Sequence, residues 1–185
     1  EGLKDPDQAI HFLKIIAKQA DRLNAIIEDL LSLSRIEQEA ETAGIATEKA
    51  DVREVIHAAV AVCNAKAVQK QLTININCGG DKRADINPPL LEQALVNLID
   101  NAIKYSEPAK TVWVEVAESK HQVVISVKDE GCGISEDHLP RLFERFYRVD
   151  KARSRKLGGT GLGLAIVKHI AHANSGTVGV ESVFG

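Results

Sequence analysis

Residues 90–106, LLEQALVNLIDNAIKYS, read as a helix that can be buried along one flank only. Leu91, Leu95, Leu98 and Ala102 fall at helical spacing and form an apolar stripe. Asn97, Asn101, Lys104 and Tyr105 follow a second helical row. That row sets two amides, an ammonium and a phenol along one wall of whatever the helix borders. Asparagine is a poor helix former, because its amide competes for nearby backbone groups, so two of them one turn apart ask for a reason. A solvated polar face is one reason and a polar ligand is the other. The fold must give this helix a core on one side and water or a ligand on the other.

The rest of the chain predicts what that core is made of. Asp5 can cap a first helix, Pro6 suits its first position, and Gln8 can complete a capping box. This helix is expected to run to about Ala40. Ile16, Leu23 and Leu30 repeat every seven residues, joined by Ala20 and Ile27 and by Ile26 and Leu33. A seven-residue repeat predicts packing against other long helices, as in a coiled coil or bundle. The sequence holds no second long heptad helix, so the partner is expected from another chain or from a segment outside this one.

Residues 39–49 are polar, contain Gly44 and mark a domain boundary. Asp51 and Glu54 offer a capping box for a second helix ending near Gln69. Alternating apolar and polar residues predict strands at 72–77, 112–116 and 123–127, with a short one at 83–86. The second and third of these form a hairpin turning at Ser119 and Lys120. Asn87, Pro88 and Pro89 cap the central helix, a last helix spans 162–173, and a strand at 177–182 closes the chain. Helices interleaved with hairpin-like strands predict an α+β fold, a two-layer α/β sandwich preceded by one long α-helix.

Composition removes several function classes. A net charge of −3 makes no general case for a nucleic-acid or membrane surface. No apolar run approaches the roughly 18 residues of a membrane span, and the first residues do not resemble a signal peptide. Cys63, Cys78 and Cys132 are widely spaced and form no CxxC pair, which predicts free thiols in a reducing cytoplasm.

Three further stretches carry chemistry. DEGCGI (129–134) follows a strand, and its alternating glycines let a flat ligand approach the backbone closely. Asp129 could accept a hydrogen bond from an exocyclic amine, although DxGxG alone also describes a plain turn. LFERFYR (142–148) concentrates aromatics in a chain with only 4% of them. Phe143 and Phe146 there predict a small satellite core, while Arg148 lies beyond it and could grip a phosphate in a planar, bidentate way. GGTGLGL (158–164) runs straight into a helix, and glycine-rich backbone at a helix N-terminus is a ready phosphate site. Between the last two, residues 150–156 carry four basic side chains without apolar periodicity and read as a mobile lid. The pattern is neither a P-loop nor a Rossmann fingerprint.

In this order and spacing, NLIDNAIKYS, DEGCGI, LFERFYRVD and GGTGLGLAIVKHIAHANSG resemble the N box, glycine boxes and F box of sensor histidine kinases. These belong to the ATPase superfamily that includes gyrase B and MutL. The first helix, through DLLSLSRIE, resembles the second helix of that family's dimerisation and phosphotransfer hairpin. The resemblance implies a Bergerat-type ATP-binding fold at 51–185, a linker at 43–50 and a partial dimerisation helix at 1–42. It implies ATP and Mg2+ as cofactors, with Asn101 as the metal ligand and Asn97 and Lys104 near the phosphates. Tyr105 would border the nucleotide. Asp129 would receive the adenine amino group in a pocket shaped by Gly131, Gly133 and Ile134. Arg148 would approach the γ-phosphate, so Asn101, Lys104 and Arg148 form the expected catalytic set. Gly159, Thr160, Gly161, Leu162, Gly163 and Leu164 would open the phosphate-contacting helix.

The departures from the family pattern matter as well. None of the six histidines has the neighbours of a histidine box, so the phosphoacceptor is expected outside this sequence. The family's last strand is expected to be missing too. The sequence thus predicts the ATP-binding catalytic part of a histidine kinase, unable to autophosphorylate alone. Its expected partners are a histidine-bearing hairpin, a response regulator and a second copy through the first helix, with no nucleic acid. A cytoplasmic location is expected, with the intact protein open to membrane anchoring. The alternatives are a nucleotide-gated interaction module and an ATPase of the same superfamily. Such ATPases use a glutamate on the asparagine helix, and Glu92 lies off that row, while Asp100 leaves hydrolysis open.

Overall fold

The computed structural model describes residues 6–42, 44–80, 82–119, 122–150 and 158–184. The expected cap at Asp5, the turn position Lys120 and the basic residues of the expected lid lie outside them. Helix α1 spans Pro6–Thr42, and strand β1 (Glu48–Asp51) leads directly into α2 (Val52–Gln69). Next come β2 (Thr73–Cys78), β3 (Arg83–Ile86) and α3 (Pro88–Tyr105). The hairpin β4 (Thr111–Ser119) and β5 (Gln122–Lys128), a 3-10 turn (Glu136–Arg141) and α4 (Gly163–Ala173) complete the order.

The central sheet has the order β2-β4-β5, with β2 parallel to β4 and β4 antiparallel to β5. Register follows the alternation in the sequence. Ile74 and Ile76 sit opposite Val112 and Val114, and Val114 and Val116 sit opposite Val127 and Ile125. One face of each strand is thus uniformly apolar and is covered by helices. The core beneath joins Val55, Ile56, Ala59 and Cys63 of α2 to Leu95, Ile99 and Ile103 of α3 and to Val114 of β4. The fold is the expected α+β arrangement with helices on one face of a mixed sheet.

Four differences from the sequence expectations have physical causes. The expected linker at 43–50 is shorter, because Glu48–Asp51 pairs antiparallel with Arg83–Ile86. This strand is EKAD, too short and charged to show an alternating pattern, and only its pairing creates it. Residues 177–182 form no strand among the described residues; Ser182 Oγ instead accepts a hydrogen bond from Ile134 N at 2.9 Å. The segment meets a glycine turn there, which has no regular edge to extend. Phe146 is not part of a satellite core, since it is 55% exposed. Helix α3 is apolar over more than one stripe. Ala94, Ile99 and Ile103 are buried as deeply as Leu95 and Ala102, while Leu91 and Leu98 are only partly covered.

Helix α1 divides into two parts. Ile16, Leu23 and Leu30 of its heptad row are exposed. Leu33 and Ile36 instead pack with Leu162, Ile166, Val167 and Ile170 at the start of and along α4, forming a second core. Leu33, which the repeat assigns to an intermolecular seam, is 1% exposed within this chain.

Candidate functional site

Helix α3 organises the site because both its ends are fixed. At its start, the Asn87 side chain accepts from Leu90 N at 3.1 Å, and Pro88 and Pro89 occupy the first turn. Asn87 also donates to Ala46 O and to Asn174 Oδ1, tying the helix to residues at both ends of the fold. At its end, Lys70 of α2 reaches over with Nζ 2.7 Å from Ile103 O and 2.8 Å from Lys104 O. That ammonium satisfies carbonyls left open by the last turn.

Two of the other motifs meet this helix directly, and the aromatic one is joined to it through the second glycine run. Midway, Asn97 Nδ2 lies 3.5 Å from Gly163 O, so this amide faces the N-terminus of α4. At the end, Ser106 bridges to Gly131, bringing the DxGxG turn against Tyr105. A Cβ on Gly131 would stand 2.6 Å from Asp129 Oδ1 and 3.0 Å from Tyr105 O, so no side chain fits there. Asp129 Oδ1 accepts from Gly131 N at 2.8 Å and holds the turn closed. Gly133 has φ +67, and a Cβ there would collide with the Val183 carbonyl, while Ile134 is anchored by Ser182. The Ser106 hydroxyl is buried at this junction without a hydrogen-bond partner among the described residues.

The aromatic motif and the second glycine run are clasped together. Phe146 N donates to Gly161 O at 2.8 Å, and the Arg148 guanidinium donates to Gly159 O. Gly161 has φ +81, and its missing Cβ is what lets Phe146 approach. Phe146 itself takes φ +62, a left-handed conformation that a bulky residue adopts only under tertiary constraint. Leu162 is fully buried and anchors the turn, and Gly163 and Leu164 begin α4. Arg148 therefore lies at the turn, but its guanidinium is engaged with backbone.

Lys104 is not alone on its row. Its ammonium lies 2.6 Å from Asp100 Oδ2, and Lys66 of α2 lies 2.6 Å from Asp100 Oδ1. Burial would raise the Asp100 pKa, yet the hydrogen bonds and charges of Lys104 and Lys66 outweigh it and hold the carboxyl below its ordinary 3.8. A depressed carboxyl stabilises the fold fully above its unfolded value and loses that contribution as pH falls through the folded one. Asp100→Asn should therefore flatten the stability decline below about pH 3.8 in acid denaturation; an unchanged acid limb would show that the pairs contribute nothing. By contrast, the Asn101 amide is half-buried and makes no protein hydrogen bond among the described residues.

Helix α1 also reaches the site, which its sequence did not announce. Thr160 Oγ1 donates to Asp29 Oδ2 at 2.6 Å and accepts from Leu162 N at 3.2 Å. Burial raises the Asp29 pKa against the opposing effects of Thr160 and Lys104. Nearby, Glu37 pairs with Arg145 and lies 3.3 Å from His169 Nε2, while Ser32 Oγ accepts from Gln93 at 2.7 Å. No local pattern announces the partners of Asp29 and Glu37; only the fold reveals them. Cys132 is exposed beside the first glycine turn, and none of the three cysteines is in a disulfide among the described residues.

Comparison with known proteins agrees with this geometry. The profile of the histidine kinase-, DNA gyrase B-, and HSP90-like ATPases matches residues 86–185. The chain is 37% identical over 174 residues to the sensor-like histidine kinase SenX3 of Mycolicibacterium smegmatis, covering 94% of this chain and 45% of that protein. It thus spans less than half of that relative's length. Among solved structures, full-length ShkA in complex with AMPPNP superposes with a TM-score of 0.76 at 26% identity, over 98% of this chain and 37% of ShkA. Histidine kinase ThkA in complex with response regulator protein TrrA superposes at 0.73 with 20% identity, over 96% of this chain and 48% of ThkA, a likeness of fold.

Proposed function

This chain belongs to the histidine kinase-, DNA gyrase B-, and HSP90-like ATPase family, as a sensor histidine kinase catalytic domain, and from that premise we propose how its residues act. Its function is to bind ATP and present the γ-phosphate to a histidine on a separate helical segment. The observation that carries this reading is the convergence on α3. Its Asn97 amide meets the start of α4 at Gly163, and its end meets the DxGxG turn at Gly131.

The adenine would lie against Gly131, Gly133 and Ile134, with Tyr105 at its border and Asp129 accepting from the exocyclic amine. The tight turn at Gly131 supports this, since it holds Asp129 and Tyr105 close together at one end of the helix. The phosphates would sit between Asn97, Lys104 and the turn formed by Gly159, Thr160, Gly161, Leu162, Gly163 and Leu164. Free N–H groups and the dipole at the α4 N-terminus favour charge there. Arg148 would exchange its Gly159 carbonyl for the γ-phosphate. Transfer then rests on positioning and on charge neutralisation rather than on a protein nucleophile.

The donor set fits a magnesium ion that arrives with the nucleotide. No cluster of three carboxylate, histidine or cysteine side chains that could cage a metal occurs among the described residues. The Asn101 amide, without a protein hydrogen bond among the described residues, is a weak ligand by itself but would suit an ion already held by phosphate oxygens and water. Bound there, magnesium would neutralise phosphate charge.

The wider assignments follow the relatives. A response regulator as partner is consistent with the ThkA complex, and a homodimer with the exposed row of Ile16, Leu23 and Leu30. No helix among the described residues is long and apolar enough to cross a membrane; a cytoplasmic site of action is our reading. Hydrolysis as the main activity is disfavoured because Asp100 is held by two lysines and is not poised as a base.

The direct test mixes the chain with labelled ATP and a separate histidine-box helix. Label on that histidine supports phosphotransfer, and steady phosphate release without it would establish an ATPase instead. For the base pocket, Asp129→Asn should lower ATP affinity by about tenfold or more while sparing GTP, as the loss of one specific polar contact does. Equal loss of both nucleotides would remove Asp129 from the adenine.

A further inference from the structure

A residue of α2, outside every nucleotide motif, is paired with a motif residue. Lys66 and Lys104 each touch a different oxygen of Asp100, both at 2.6 Å. The three differ in exposure: the Lys66 side chain is 62% exposed, Lys104 30% and Asp100 15%. Asp100 is thus the most enclosed, and Lys66 is bound to it from the solvent side.

A lysine needed at a phosphate must first leave its carboxylate. If Lys104 were the only counter-charge, its departure would strand an anion in a half-buried place, at a cost of desolvation with no compensating pair. Lys104 would then stay on Asp100. With Lys66 already bound to the second oxygen, the carboxylate keeps a partner when Lys104 leaves. Lys66 cannot make the journey itself, being carried on α2 across from α3. The two lysines are therefore unequal: one holds, one is released.

We propose that Lys66 is a positioning residue that neutralises Asp100 and thereby frees Lys104 for the nucleotide phosphates. The inference rests on the reading of Lys104 given above. It makes the ion pair a device for setting nucleotide affinity, rather than only a tie between two helices. It predicts an effect confined to phosphate-bearing ligands, because Lys104 is assigned to the phosphates while the adenine is assigned to Asp129 and the Gly131 turn.

Titration of the chain with ATP and with adenosine, in magnesium, tests it. Lys66→Gln should weaken ATP binding about fivefold, the scale of a partly screened ion pair, with adenosine binding unchanged. Lys66→Arg should restore ATP binding. Because Lys66 acts only through Asp100, the double variant K66Q/D100N should bind ATP as D100N does. That second comparison still decides the matter if K66Q melts early, since removing charge and counter-charge together leaves no stranded anion. Parental ATP affinity in K66Q, or a K66Q/D100N protein weaker than D100N, overturns the proposal. Lys104→Ala separates the two layers. If it leaves ATP affinity unchanged, the phosphate role of Lys104 fails; if it weakens ATP while K66Q does not, only the role of Lys66 fails.

Discussion

Asn101→Ala is expected to leave the fold intact and remove magnesium-dependent nucleotide binding. The first half follows from local structure. Asn101 is half-buried and has no side-chain partner among the described residues, so its loss orphans no protein group. Alanine is moreover the better helix former, by a few tenths of a kcal/mol. Stability should stay within about 0.5 kcal/mol of the parent. The second half follows from the proposed metal contact. Even groups that only support a metal ligand cost about 10- to 100-fold in metal affinity, so losing the ligand should cost at least that. Calorimetric titration with ATP and magnesium, beside a melting curve, measures both halves. An alanine variant that binds ATP-magnesium normally would remove Asn101 from the metal. A variant that binds weakly because it melts early would show a structural role instead.

Two residues earlier on the same helix, the opposite outcome is expected. Ile99 is 0% exposed and belongs to the core shared by α2, α3 and β4. Ile99→Ala should destabilise the fold by about 2–5 kcal/mol, combining lost burial with an unfilled cavity. Against a total of about 5–15 kcal/mol for a domain, that is a large fraction. Urea denaturation at constant slope measures it, and a loss below about 1 kcal/mol would mean that the core collapses around the gap. Nucleotide affinity, measured well below the unfolding transition, should fall far less than in Asn101→Ala. The pair of variants separates the two flanks of one helix, one holding the fold and the other holding the ligand.

Much of this was legible in the residues. The caps at Asp51 and Asn87 are local chemistry, since each is an acceptor side chain two or three residues from the N–H it binds. The hairpin of β4 and β5 shows in strict alternation, because the period of a half-buried strand is imposed by the backbone. The candidate site was legible for a different reason. Asparagines in a helix and glycines at a helix start are locally unfavourable, and such departures mark positions kept for something other than stability.

What was not legible depends on distant partners. Glu48–Asp51 is a strand only because Arg83–Ile86 lies beside it. Thr177 and its successors alternate like a strand but meet the Gly133 turn, with no edge to join. Asp29 and Glu37 carry no local mark of a partner, yet they hold Thr160, Arg145 and His169. Lys66 sits in an unremarked helix and becomes relevant only where Asp100 meets it.

Sequence alone determined the kind of chemistry on α3, because helical period and side-chain type place Asn97, Asn101 and Lys104 on one row wherever the helix lies. Tertiary structure decided the state in which that chemistry waits. Lys104 is shared with Lys66 through Asp100, Arg148 is turned onto Gly159, and Thr160 is tied to α1. Apart from the one-turn pair of Asp100 and Lys104, these contacts join residues 11 to 131 positions apart, and no local pattern encodes which of those groups will meet. Only the packing of α1, α2 and α4 around α3 brings them within reach.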